Sequence, residues 1–103
     1  MNTLPSRDDF FKHLNEKFRV YFDEQTPTEV ELTEVSESRP RNKYVAFSLV
    51  FIAPKIIPPW QILARVEHDS LGAFELFLVP VEETESGYAF EALFNQLASD
   101  AGD

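Results

Sequence analysis

The sequence predicts an α+β fold: an N-terminal helix packed on a strongly curved, mostly antiparallel sheet of five to six strands, or a small open barrel. Three observations predict it. From Phe18 onward, apolar residues recur at every second position in run after run, the period of strands with one wet face. Turn-forming residues separate these runs at short intervals, so sequential neighbours connect as hairpins. The stretch before Lys17 has a helical period, and a curved sheet needs such a second layer to cover its open side.

The helix is expected from Arg7 to Glu16. Ser6 is placed to cap it, and Asp8 and Asp9 put negative charge in its first turn. Phe10, Leu14 and Phe18 fall four apart, with Phe11 beside them. The first strand sets Phe18, Val20 and Phe22 against Lys17, Arg19 and Tyr21, and Asp23 to Pro27 turns the chain. In TEVELTEV, Val30 and Leu32 alternate with Glu29 and Glu31, while Val35 breaks the phase, which marks a bulge or a strand end.

The third strand, KYVAFSLVFIAP, is apolar on both faces, so it is expected to be central and covered on two sides. QILARVEH turns Ile62, Ala64 and Val66 inward. AFELFLVPV sets Phe74, Leu76 and Leu78 against Phe77, Val79 and Val81, with Pro80 confined to an edge or strand end. The final stretch, 88–97, fits either period. A strand through Asn95 is favoured, because the preceding strand needs a hairpin partner. The whole chain, 1–103, forms one domain, with an ordered core over about 6–95 and a frayed C-terminal tail.

Composition narrows the function. Fourteen per cent of the residues are aromatic, ten of them Phe, and there is no cysteine. Disulfides, thiolate metal sites and cysteine nucleophiles are therefore excluded. The net charge of −9 repels phosphate backbones and argues against nucleic acid. The one dense basic spot, Arg39, Arg41 and Lys43, reads as a solvated loop between strands. No secretory leader or bilayer-length apolar run is visible, so the expected location is the cytoplasm, away from membranes.

The stretch EHDSLG sets His68, Asp69 and Ser70 side by side, the residue types of a hydrolytic triad. Adjacent side chains in a tight turn splay apart, and a triad needs the histidine bracketed by nucleophile and acid. With Gly72 close behind, the stretch reads as a hairpin turn. The histidines, His13 and His68, have no zinc-like spacing. His13 reads as a surface residue. No catalytic, cofactor or metal-ligating residue is assigned, and no cofactor is expected. The candidate partner-binding residues are Ile56, Ile57, Pro59 and Trp60 in the apolar loop APKIIPPWQ. That loop either plugs an open end of the sheet or presents a pre-stiffened patch to a partner.

Five segments, FKHLNEKFRV, TEVELTEV, FSLVF, HDSLGAFELFLVPV and YAFEALFN, resemble a family of small bacterial proteins known only as a domain of unknown function. The resemblance runs from Phe10 to Asn95 and is most specific from Leu71 to Val81. It implies a neighbourhood of phage-tail-collar-type proteins and no established activity, cofactor or catalytic residue. The reading that follows is a non-enzymatic interaction or accessory domain of a phage-tail-like or surface assembly, with an unidentified protein partner. Self-association through an edge strand is a further expectation. The alternatives are an acidic immunity or inhibitor protein masking a basic partner, and a barrel that binds a small apolar ligand.

Overall fold

The computed structural model describes residues 4–41 and 44–97. In chain order the elements are α1 (Arg7–Phe11), β1 (Lys17–Tyr21), β2 (Thr28–Val35), β3 (Arg39–Arg41), β4 (Tyr44–Pro54), β5 (Ile62–His68), β6 (Gly72–Glu83) and β7 (Gly87–Leu97). The fold is α+β, as the alternation requires. Pairing runs β2–β1–β5–β6–β7–β4, and a further ladder between β2 and β4 joins the two ends of that row. Six antiparallel strands thus make a ring, and β3 adds a seventh strand outside it, on β4.

The ring has one interior, and its side chains fill it. Phe18 and Val20 of β1, Val30 and Leu32 of β2, Leu49 and Phe51 of β4, Val66 of β5, Leu78 of β6 and Phe90 of β7 are all buried. A small barrel leaves room for side chains and little else. The other face of β4 is only half-buried at Ser48, Val50 and Ile52. Its expected cover on two sides is therefore replaced by one core face and one partly wet face. β2 carries its bulge between Leu32 and Glu34, which turns Val35 back against the core.

β6 is shared between two neighbours. Residues up to Leu78 pair with β5, and those from Val79 pair with β7. Pro80 lies past the end of the β5 ladder, where its missing N–H costs no bond on that side, and a register shift follows it. Among the described residues the β6–β7 ladder stops at Val79–Glu91, so the ring splays toward its α1 end. Phe10 packs between Phe74 and Phe94 there, with centroids 5.7 and 5.5 Å away. Gly87 pairs with Pro54, and a Cβ on it would stand 1.8 Å from the Ala53 carbonyl oxygen. Only glycine lets β4 and β7 approach so closely.

The helix is shorter than its period suggests. Ser6 and Asp9 form a capping box at its start, but it ends at Phe11 and not at Glu16. Asn15 takes φ of 71°, a conformation that asparagine tolerates and a helix does not. Its N–H donates to Leu32 O at 2.7 Å, and Glu16 O accepts the Leu32 N–H at 3.1 Å. The backbone groups that would extend α1 are taken by β2. The basic SRPRNK stretch also departs from expectation, since Arg39–Arg41 pair with Tyr44–Ala46 as a strand and not a loop. Lys43 and the expected frayed tail past Leu97 lie outside the described residues, and the last strand runs to Leu97.

Candidate functional site

The His-Asp-Ser stretch is a turn. His68 pairs with Gly72 across the loop Asp69–Ser70–Leu71, and Gly72 takes φ of +85°, the arrangement of a three-residue hairpin loop closed by a left-handed glycine. Asp69 points away and accepts from Arg19 Nη1 at 3.0 Å. Ser70 meets His68 through its backbone N–H and not its hydroxyl. Among the described residues no hydroxyl hydrogen-bonds to either histidine. The sequence also contains no cysteine and no Gly-x-Ser-x-Gly.

His68 nevertheless belongs to a cluster that the sequence reading did not assemble. It is the last inward position of β5 and only 6% exposed, with its ring 4.4 Å from the rings of Phe18 and His13. Its Nδ1 accepts the N–H groups of Ser70 at 3.1 Å and Leu71 at 3.3 Å. Nδ1 therefore carries no proton, and Nε2–H donates to Glu16 Oε1 at 2.9 Å. His13 Nδ1 reaches the same oxygen at 3.0 Å. The two imidazoles hold the Glu16 carboxyl below its ordinary range, the hydrogen bond from His68 contributing most and that from His13 next.

The ligating atoms of His13, Glu16 and His68 lie within 4.8 Å of one another, so a metal has to be considered. The hydrogen bonds around His68 oppose it. A ligating histidine ordinarily donates its other ring N–H to an acceptor. His68 instead accepts two amides on Nδ1, and binding an ion through Nε2 would require it to lose its only ring proton. Among the described residues no buried side-chain nitrogen or oxygen lacks a partner, so none is held in wait for an ion. The arrangement fits a hydrogen-bond latch fastening the segment after α1 to the end of β5.

The opposite end of the ring collects the β1–β2, β4–β5 and β6–β7 turns. The β4–β5 loop, residues 55–61, carries the four candidate partner-binding residues, and the structure separates them. Ile57 turns down onto the core, and its N–H bonds to Pro54 O at 3.0 Å. Ile56 and Trp60 point outward, 86% and 73% exposed, and Pro59 is exposed as well. The Trp60 N–H bonds to Pro58 O at 2.9 Å, so the indole stands on a stiff turn. Beneath it lies a cleft of about 330 Å³ lined by Phe22, Asp23, Thr28, Ile57, Pro58, Trp60, Gln61 and Ile62. Asp23 Oδ1 accepts the N–H groups of Thr26 at 2.8 Å and Gln25 at 3.0 Å. These bonds hold its carboxyl below the ordinary range, Thr26 contributing most.

Residues 5–94 match the model of a protein family described as a domain of unknown function, DUF6916. The chain belongs to the DUF6916 family. No curated protein and no solved structure matches it. The DUF6916 match includes both the latch and the mouth of the ring, and it shows no link to phage-tail-collar proteins.

A signal for the latch was present in the DUF6916 sequence. The alternation that turns Ala64 and Val66 inward continues to His68, and a histidine inside a barrel must find a partner. His13 and Glu16 are three apart, the spacing at which side chains on one turn meet.

Proposed function

We propose that this DUF6916 domain is a non-enzymatic interaction module whose contact surface is the mouth of the ring around Trp60. The observation that carries this reading is an indole 73% exposed on a loop fixed by two prolines and anchored by Ile57. Trp is enriched among interface anchors, and a surface already held in its binding shape loses little entropy on association. Among the described residues one hydrophobic core lines the barrel interior, which disfavours the alternative of an apolar ligand held there. A phage-tail-like or surface assembly would be one setting for such a module.

The experiment places a photoreactive benzoylphenylalanine at Trp60, and separately at the exposed Phe11 on the opposite end, in cells of the source organism. The reading expects one discrete cross-linked protein from position 60 and none of that species from position 11. Self-cross-links alone from position 60 would favour a homo-oligomer instead. The same products from both positions would refute the reading.

A further inference from the structure

The mouth has a chemistry more specific than apolar. Asp23 and Glu24 stand on the β1–β2 turn, and Glu82, Glu83 and Glu85 lie at the end of β6 and in the turn after it; all five are exposed. Among the described residues Lys55 lies on the loop between these turns and is already paired with Glu83 at 3.5 Å, and the nearby Arg65 is paired with Glu67 at 2.9 Å. A cleft walled by Phe22, Ile57, Pro58 and Ile62 thus opens on an exposed indole and a carboxylate, at a mouth whose turns carry more acid than base. Asp23 Oδ1 is occupied by two turn amides. Among the described residues nothing donates to Oδ2, which leaves an acceptor on the cleft rim.

Resting on the proposed mouth reading, we infer that the occupant of the cleft is an arginine side chain carried on a basic face of the partner protein. Arginine has an apolar stem suited to the Phe22–Ile62 wall. Its planar head stacks on an indole and donates to a carboxylate in the same pose. Lysine shares the stem, but its compact, strongly hydrated ammonium gains less from an aromatic face. A neutral aliphatic anchor would cover Asp23 Oδ2 without offering it a donor. The volume of about 330 Å³ is at the low end for ligand pockets and suits one long side chain. A second copy of this chain is a poor occupant, since its net charge of −9 would be set against the same acidic rim.

Trp60 is the only tryptophan in the chain, so its emission reports on the cleft directly. The folded domain is titrated with a short peptide of alternating glycine and arginine, and with its lysine and citrulline counterparts. The arginine peptide should change Trp60 emission and bind about fivefold or more tightly than the lysine peptide. The citrulline peptide should not bind measurably. Asp23→Asn keeps the turn acceptor and removes the charge; it should weaken the arginine peptide about fivefold with the melting temperature little changed. Equal binding of the arginine and lysine peptides, or an Asp23→Asn variant that binds like the wild type, would overturn the inference. If the arginine preference fails while the cross-link from position 60 persists, only the choice of anchor is wrong. If the cross-link fails, the mouth reading beneath it is wrong.

Discussion

Phe10 is the residue on which the α1 end of the ring depends, and truncating it tests that dependence. It is fully buried, whereas its neighbour Phe11 is 48% exposed. Its ring meets those of Phe18, Phe74 and Phe94 at 6.4, 5.7 and 5.5 Å. Phe→Ala in a core costs about 3–5 kcal/mol. Here the lower end is expected, because α1 is five residues long and can peel back instead of leaving a rigid void. A loss of about 3 kcal/mol is a large share of the roughly 5–15 kcal/mol that holds a domain folded. It should lower the melting temperature by about 12–24 °C for a chain of this size. Phe11→Ala removes a ring covered on one side by Arg7, 4.6 Å from its centroid, and should cost no more than about 1 kcal/mol. Urea denaturation of both variants is the assay. An unchanged slope with a lower midpoint in Phe10→Ala means a cavity, and a reduced slope means the cap has already detached in the native state. If the two variants lie within about 1 kcal/mol of each other, Phe10 does not close the splayed end of the ring.

Two further predictions concern the latch. The folded Glu16 carboxyl titrates below its unfolded value, so on acidification the unfolded chain takes up the proton first. Its contribution is complete above about pH 5 and is lost as pH falls further. Asp9, Asp23 and Glu67 are lowered too, so the measure is the wild-type slope of stability against pH minus that of Glu16→Gln. The variant should be flatter between about pH 5 and pH 3, and parallel curves would count against the latch. Because Nδ1 of His68 accepts two amides, Zn²⁺ in tenfold molar excess should leave the melting temperature unmoved, where a bound ion would raise it with concentration. A rise abolished by His13→Gln would show a metal site after all.

The strands were legible because their signal is local. Once Phe18, Val20 and Phe22 alternate with charged and polar neighbours, a single wet face follows, and the phase break at Val35 marked a bulge or a strand end before any pairing was known. The structure has a bulge between Leu32 and Glu34 and ends the strand at Val35. The turn at His68–Gly72 was legible for the same reason, since three splayed neighbours cannot make a triad. What the sequence hid depends on register. β3 contains Pro40 and spans three residues, too little for a period, and exists only because β4 extends beyond its ladder with β2. The early end of α1 is likewise imposed from outside: Phe10 and Leu14 suit a helix, but β2 takes the Asn15 amide. The meeting of His13 and His68 at Glu16 was the hardest to see, because 54 residues lie between the two histidines and only the β1–β5 ladder, which sets Glu67 beside Arg19, brings His68 back to Glu16.

The loop at residues 55–61 shows how one short loop can both cover the core and keep an apolar surface exposed. An apolar loop across a barrel mouth has two sides, and neighbouring residues in an extended or turning backbone face different ways. Ile57 faces the core and holds the loop down; Ile56 and Trp60 face water. A loop without Ile57 would be free to collapse its tryptophan onto the nearest apolar wall, as hydrophobic burial favours. The plug is thus what keeps the patch exposed, and it does so from within the same seven residues. Replacing Ile57 with Ala should therefore damage the patch before it damages the fold. The Trp60 emission should move to the blue as the indole settles into the cleft, and the cross-link from position 60 should weaken. If emission and cross-linking both stay as in the wild type, the anchor does not set the exposure of Trp60, and the prolines alone hold it out.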